Sequence, residues 1–242
     1  MAEYSVVQSG LPMRLKDLRE QVLEANLELV RRHLVLYTFG NASGVSPEEG
    51  LVAIKPSGVP FAKLKPEHVV LSDLEGNVVE GDLRPSSDLP THVILYRAFP
   101  GLGGVVHTHS TYATAFAQAG REIPCLGTSQ ADYWRGAVPV TDPLEAVEIE
   151  GAYEKNTGKQ IVRRFAKLKP DQLPGVLVHG HGPFTWGASP AEAVRHAVLL
   201  EEFARVAWLT LSLNPSAQPL PVVHLDKHFL RKHGPGATYG QR

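Results

Sequence analysis

The segment GVVHTHS at residues 104–110 begins with small and β-branched residues, which predicts a short buried strand. Successive side chains of a strand point to opposite faces, so His107 and His109 are expected to project the same way and to reach one ion together. Ser110 is a favourable N-cap residue, and we expect a helix to run from it to about Ala119. The segment therefore predicts a strand that leads into a helix, with a metal site at the end of the strand.

A near-copy of this segment, GVLVHGH, recurs at residues 175–181, and the two strands are expected to lie near each other. A catalytic metal site usually takes three protein ligands and leaves one position open for substrate, so the repeat supplies the third imidazole. We favour His181 over His179 as this ligand, and we expect Gly182-Pro183 to turn the chain away from the strand end. Six histidines lack such partners and are interpreted as structural or solvated: His33, His68, His92, His196, His224 and His233.

Hydrophobic periodicity around these segments predicts a sheet covered by helices. Apolar residues at three- and four-residue steps predict a helix over about 13–34, and the sequence SPAE at 189–192 is a capping box that opens a helix to about Leu213. Shorter helices are expected at about 90–99 and 225–232, and strands at 51–54, 69–74 and 78–79, with a hairpin turn at 75–77. Because helices and strands mix rather than alternate strictly, the pattern favours an α/β fold in a single domain over residues 1–242.

Composition and charge exclude several classes of function. The 24 basic and 25 acidic residues give a net charge of −1 and are scattered along the chain, so no nucleic-acid partner is expected. No apolar run approaches about 18 residues, which excludes a membrane span, and the lack of a signal-peptide pattern predicts a cytoplasmic protein. The single cysteine, Cys125, cannot form an internal disulfide bond.

Three short polar segments are candidates for binding a phosphate group: Gly40-Asn41, Ser57-Gly58 and Ser86-Ser87. Loop amides and hydroxyl groups can hold an anion, and Lys55 is close in sequence. Glycine, asparagine and serine are also the usual turn formers, so each segment taken alone is better explained as an ordinary turn. The chain contains neither of the glycine-rich loops that mark nucleoside triphosphate or dinucleotide binding, which argues against those cofactors.

Two carboxylates adjoin polar segments. Asp88 directly follows Ser86-Ser87, and Asp132 lies between Ala131 and Tyr133. A carboxylate near a divalent ion can be a ligand, can orient a ligand or can act as a general base, and the residues alone leave these roles open. Either could also be an ordinary solvated acid.

The order and spacing of several segments resemble those of the class II aldolase-like (aldolase/epimerase) family over nearly the whole chain. The segments are 21–27, 54–58, 85–88 with 90–92, 106–110, 174–183 and 226–241. The resemblance implies an α/β/α sandwich on a central, mainly antiparallel sheet. This architecture agrees with the mixed pattern of helices and strands.

The resemblance also implies roles for the candidate residues around one divalent ion per subunit, usually zinc, with manganese or cobalt as alternatives. The implied metal ligands are His107, His109 and His181, with Asp88 at or beside the ion. The implied acid/base pair is Asp132 and Tyr239, with His228 nearby in the active site. The three polar segments, with Lys55, become the binding site for a substrate phosphate.

The activity implied is the interconversion of L-ribulose 5-phosphate and D-xylulose 5-phosphate in arabinose catabolism. In this reaction the C3–C4 bond breaks in a retro-aldol step and re-forms on the other face of the aldehyde, with the ion as Lewis acid. Two alternatives stay open: a class II aldolase acting on fuculose or rhamnulose 1-phosphate, and a non-catalytic interaction domain like the adducin head. A homotetramer is also implied, in which His228 and Tyr239 come from the neighbouring subunit. Phe39 and Ser129-Gln130 depart from the residues that relatives often have there, Trp and Thr-His, and the second departure bears on the surroundings of Asp132.

Overall fold

The computed structural model describes residues 13–238, and seven strands of this range form one sheet. The strands are β1 (Asn41–Ser46), β2 (Leu51–Ile54), β3 (Val70–Asp73), β4 (Val78–Glu80), β5 (Gly104–His107), β6 (Gly175–Val178) and β7 (Gly182–Gly187). Their order is β4-β3-β2-β1-β5-β7-β6, and neighbouring strands pair antiparallel throughout. The predicted antiparallel sheet is confirmed, including the hairpin that joins β3 to β4.

Helices cover both faces of the sheet. They are α1 (Lys16–Arg31), α2 (Leu89–Ala98), α3 (Thr111–Gln118), α4 (Thr128–Ala131), α5 (Ala146–Glu150), α6 (Tyr153–Arg164), α7 (Pro190–Leu213) and α8 (Val222–His233). The alternation of side chains in β2 shows the two layers, because Leu51 and Ala53 pack towards α1 whereas Val52 and Ile54 pack towards α2. With α7 beside α1 and α6 against α2, the molecule is the expected α/β/α sandwich.

The N-terminus of α7 is fixed tightly against β5. Ser189 Oγ accepts a hydrogen bond of 3.2 Å from Glu192 N, as the capping box predicts, while the Glu192 carboxylate accepts from Ala188 N at 2.7 Å. A Cβ atom on Gly104 would lie 2.5 Å from Pro190 N, so only glycine allows this approach. The contact holds the strand whose other end carries His107.

Three local expectations are corrected by the structure. β5 ends at His107, so His109 lies beyond the strand. Ser110 stands at the N-cap of α3 without a side-chain capping bond, because the Glu201 carboxylate from α7 accepts the bonds from Tyr112 N and Ala113 N, each at 2.9 Å. Residues 182–183 open β7 rather than ending the strand segment, since the reversal is made earlier, at 179–181, where Gly180 has a φ of 69°.

Candidate active site

Three histidines meet at one edge of the sheet. His107 is the last residue of β5, His109 follows two residues later, and His181 lies in the turn between β6 and β7. His107 Nε2 and His109 Nε2 are 3.0 Å apart, and the ring centroid of His181 lies 4.6 Å from that of His107 and 4.9 Å from that of His109. One ligand atom of each residue lies within 4.8 Å of the others. The antiparallel pairing of β7 with both β5 and β6 brings the three rings together.

The two histidines of the repeat separate, as the sequence analysis favoured. His179 is exposed and lies against the position of Gly120 just beyond α3, where a Cβ would be 2.9 Å from its ring. His181 joins the group that could hold an ion. This choice follows from the turn, in which Gly180 reverses the chain between the two residues.

The electrostatics of the group suit metal binding. Burial, followed by the neighbouring imidazoles of His107 and His109, lowers the pKa of His181 to about 3. Burial and His107 also lower the pKa of His109. Both rings are therefore neutral over the physiological pH range, and neutral imidazole is the form that binds zinc or a similar divalent ion. Three imidazoles at these distances fit such an ion.

Asp88 lies beside the histidines, at the residue before α2, and is not part of the group of three. Asn41 Nδ2 donates to Asp88 Oδ2 at 2.7 Å and to Ser86 Oγ at 2.9 Å. Burial raises the pKa of Asp88, but the nearby imidazoles and the Asn41 bond outweigh it, so the net pKa is lowered. An ionised carboxylate thus faces the histidine group from the side of the polar loops.

A cavity of about 430 Å³ joins the histidines to the three polar segments. Its lining includes all of the predicted metal ligands and phosphate-binding residues: Gly40, Asn41, Lys55, Ser57, Gly58, Ser86, Ser87, Asp88, His107, His109 and His181. Gly40 has a φ of 80°, and a Cβ there would lie 2.7 Å from Val35 Cγ1, so this loop requires glycine. The three segments, weak as individual signals, converge on one space.

Lys55 gives the cavity a buried cation. The side chain lies over the ring of Phe61 at 4.7 Å, and its Nζ donates to the carbonyl oxygens of Thr38 and Pro56, each at 3.3 Å. Burial lowers the pKa of Lys55 to about 8, and the charge of Asp88 acts in the opposite direction. A phosphate entering the cavity would meet this ammonium group together with the hydroxyl groups of the loops.

Asp132 and His228 lie away from this cavity in the same chain. Asp132 directly follows α4 and accepts two hydrogen bonds from Arg231 of α8, at 2.9 and 2.7 Å, and one from His228 Nδ1 at 3.2 Å. Burial raises the pKa of Asp132, but the bonds from Arg231 and His228 outweigh it, so the net pKa is lowered. Neither Asp132 nor His228 lines the cavity, and Tyr239 falls outside the described residues.

Sequence reasoning missed four residues of these sites. Tyr153 and Glu154 line the cavity from the start of α6, a helix that was not predicted because its sequence, YEKNTGKQIVRR, contains few apolar residues. Thr38 also lines it, through the loop before Gly40. Arg231 could have been found, because it lies one helical turn after His228 on a predicted helix.

Comparisons with known proteins identify the class of proteins to which this fold belongs. Residues 20–208 match the family described as Class II Aldolase and Adducin N-terminal domain, and the chain belongs to this family. The proteins named L-ribulose-5-phosphate 4-epimerase UlaF of Salmonella paratyphi B and Salmonella typhi are each 50% identical over 228 residues, which cover 94% of this chain and 100% of theirs. The resemblance stated from the sequence is confirmed.

Solved structures of class II aldolases are similar to this chain. An L-fuculose 1-phosphate aldolase has a TM-score of 0.76 and 26% identity, with 90% of this chain and 97% of that chain covered. The L-fuculose-1-phosphate aldolase of Thermus thermophilus has a TM-score of 0.64 and 26% identity, with 83% of this chain and 98% of that chain covered. None of the helices within residues 13–238 has the length and apolar character needed to cross a bilayer.

Proposed function

We propose that this protein is a divalent-metal-dependent epimerase that interconverts L-ribulose 5-phosphate and D-xylulose 5-phosphate. The observation that carries the proposal is the 50% identity to the UlaF epimerases over their entire length. The cavity supports it, because it combines a three-histidine group with loops suited to a phosphate. A place in arabinose catabolism and a cytoplasmic location belong to the same proposal.

The proposed ligands of the ion are His107, His109 and His181, with Asp88 at or beside it. When bound, zinc, or manganese or cobalt in its place, would supply Lewis-acid stabilisation of the negative charge that develops on the substrate as the C3–C4 bond breaks. No redox cofactor is needed for this chemistry. Asn41, which donates to Asp88, orients the carboxylate towards the histidines.

The polar loops bind the phosphate end of the substrate, which must stay bound after the C3–C4 bond breaks. Hydroxyl groups of Ser57, Ser86 and Ser87, loop amides and the Lys55 ammonium group bind the C5 phosphate. After C3–C4 cleavage, glycolaldehyde phosphate stays anchored by these contacts while its aldehyde group rotates. Bond formation on the opposite face then inverts C4.

Proton transfer at the C4 oxygen requires groups on both faces of the aldehyde, and we assign it to Asp132 and Tyr239. Asp132 and His228 are in contact in one chain yet lie outside that chain's cavity lining. We therefore infer that Asp132, His228 and Tyr239 of one subunit together complete the cavity of its neighbour in a cyclic homotetramer. Leu36 (71% exposed) and Tyr37 (88% exposed) directly precede Thr38 and Phe39 of the cavity lining, and this exposed apolar segment supports a covering chain.

An aldolase that releases its fragments is the second candidate, favoured by the structural similarity to L-fuculose 1-phosphate aldolase. It would use the same metal and phosphate sites. The sequence resembles the aldolases less at Asp88, where they carry a glutamate. The intact histidine set argues against a non-catalytic role like that of the adducin head.

The two candidates differ in their products. Metal-loaded protein is incubated with L-ribulose 5-phosphate, and D-xylulose 5-phosphate and glycolaldehyde phosphate are quantified with time. The epimerase forms D-xylulose 5-phosphate and stops when a chelator removes the ion. Accumulation of glycolaldehyde phosphate and dihydroxyacetone would identify an aldolase instead.

A further inference from the structure

The three candidate ligand rings are held in different ways. The ring of His107 is buried, stacks on Phe184 with centroids 4.2 Å apart, and its Nδ1 lies 3.0 Å from the carbonyl oxygen of Pro183. His181 lies in a turn, and the ring of Phe184 in β7 meets its ring edge-on, with centroids 6.1 Å apart. Within residues 13–238, the Nδ1 atom of His181 has one hydrogen-bond partner outside the histidine group, the phenol oxygen of Tyr153 at 3.3 Å.

This contact has a direct consequence for the metal-binding atom. An imidazole whose Nδ1–H donates to a fixed oxygen carries its free lone pair on Nε2, and the hydrogen bond prevents the ring from flipping. For His107 the backbone of β7 supplies this oxygen. For His181 a side chain must do so, and Tyr153 stands in that position with its ring centroid 5.9 Å from that of His181.

Tyr153 is itself held in place from the layer behind the site. It is the first residue of α6, and the hydroxyl group of the fully buried Thr91 donates to the carbonyl oxygen of Glu154 at 2.6 Å. Thr91 belongs to α2, the helix that begins directly after Asp88. One helix therefore positions both the carboxylate beside the histidines and, through α6, the phenol group that contacts His181.

We propose that Tyr153 is a positioning residue of the metal site, whose phenol oxygen fixes the tautomer and the orientation of the His181 ring. The inference rests on the proposed metal site and adds a member to it that binds neither ion nor phosphate. Such outer partners of metal-binding histidines typically contribute about 10- to 100-fold in metal affinity. The affinity for the ion thus depends on a helix terminus that is remote in sequence from all three ligands.

The test measures zinc affinity directly, by competition with a chromophoric chelator. Tyr153→Phe removes the phenol oxygen and keeps the ring, and we expect its dissociation constant for Zn²⁺ to rise at least about tenfold. Tyr112→Phe is the matched control, because Tyr112 lies on α3 beside Trp208, away from the cavity, and should bind zinc as the wild type does. A dissociation constant of Tyr153→Phe within about twofold of the wild type would overturn the proposal.

Thermal unfolding separates positioning from a general loss of packing. The metal-free forms of the wild type and Tyr153→Phe should unfold at the same temperature, while the rise in Tm that zinc produces should be smaller in the variant. A metal-free variant already destabilised enough to account for its weaker binding would refute the positioning role. His181→Asn tests the proposed metal site separately. If this variant keeps the wild-type affinity for zinc, the assignment of His181 as a metal ligand is wrong, independently of the role of Tyr153.

Discussion

Among single residues, His179 and His181 of the repeated segment can be compared directly as candidate metal ligands. His181 lies with His107 and His109, whereas His179, two residues earlier, lies against Gly120. We expect His181→Asn to lose the ion and the activity, because two imidazoles hold zinc far more weakly than three. His179→Asn should keep both. Metal content by atomic emission after gel filtration measures the difference, and equal zinc content in the two variants would contradict the ligand assignment.

The buried ring of His92, which is not a proposed metal ligand, leads us to predict a pH dependence of stability. Its ring is fully buried, its Nδ1 lies 2.7 Å from Ser43 Oγ, and burial lowers its pKa to about 3. An unfolded chain takes up this proton near pH 6.5, so between about pH 6.5 and 3 the unfolded state binds more protons. The folded state therefore loses stability as the pH falls through this window, by up to about 1.4 kcal/mol per pH unit from this residue.

The check is urea unfolding of the metal-free protein at a series of pH values. His92→Asn should be less stable near neutral pH, because the bond to Ser43 is weakened, yet its stability should fall less steeply as the pH drops from 6.5. A slope equal to that of the wild type would show that His92 is not the group responsible.

At the level of the elements, the packing of α7 on β5 leaves no room for a methyl group at Gly104. Gly104→Ala would place a Cβ 2.5 Å from backbone atoms of Ser189 and Pro190, and we expect a loss of about 1–3 kcal/mol in the free energy of unfolding. Gly127→Ala is the control, since its φ of −140° suits alanine and nothing lies within 4 Å of the new Cβ. Denaturant unfolding compares the two, and equal stabilities would contradict the close contact.

The elements that the sequence predicted are those with a clear apolar pattern or a capping motif. The predicted helix at 13–34 forms as Lys16–Arg31, and α7 ends at Leu213 as expected. β1 was missed because its residues, NASGVS at 41–46, are small and polar, and they are buried by what packs on them: a Cβ on Gly44 would lie 2.7 Å from Leu18 Cδ1. α6 was missed because Gly158, which lets α2 approach closely, interrupts its helical pattern.

The residues of the site were predictable from the sequence only in part. The histidines were predicted because each lies in a short segment with its own chemical signature. Each polar loop alone was better explained as an ordinary turn, and the family resemblance gave the loops their role in phosphate binding. Their convergence on one cavity depends on the strand order, in which β7 separates β5 from β6, and the sequence did not contain that order in any local pattern. The contact of Asp132 with Arg231 joins residues far apart in sequence, and no local pattern could predict it either.

At the scale of the whole molecule, the proposed sharing of residues between subunits predicts complementation. His109→Asn lacks a ligand but keeps Asp132, and Asp132→Asn keeps the histidine set but should lose about 10²- to 10⁴-fold in rate. After the two inactive variants are dissociated and reassembled in equal amounts, about a quarter of the sites would combine an intact histidine set with an intact neighbouring Asp132. Recovery of epimerase activity near that fraction is expected.

The same mixing with Tyr239→Phe in place of Asp132→Asn should give the same fraction. Mass spectrometry of tagged variants confirms that mixed assemblies have formed. Absence of activity from mixed assemblies containing His109→Asn and Asp132→Asn would put both residues in the site of one subunit and refute the shared cavity.

We propose that this protein epimerises L-ribulose 5-phosphate by breaking and re-forming a carbon–carbon bond, so the hydrogen on C4 never leaves its carbon. The most direct measurement follows the reaction of the metal-loaded protein in D₂O by ¹H and ¹³C NMR. We predict that D-xylulose 5-phosphate forms with protium retained at C4 and without accumulation of glycolaldehyde phosphate. Deuterium at C4 of the product, or a failure to form D-xylulose 5-phosphate at all, would contradict the account.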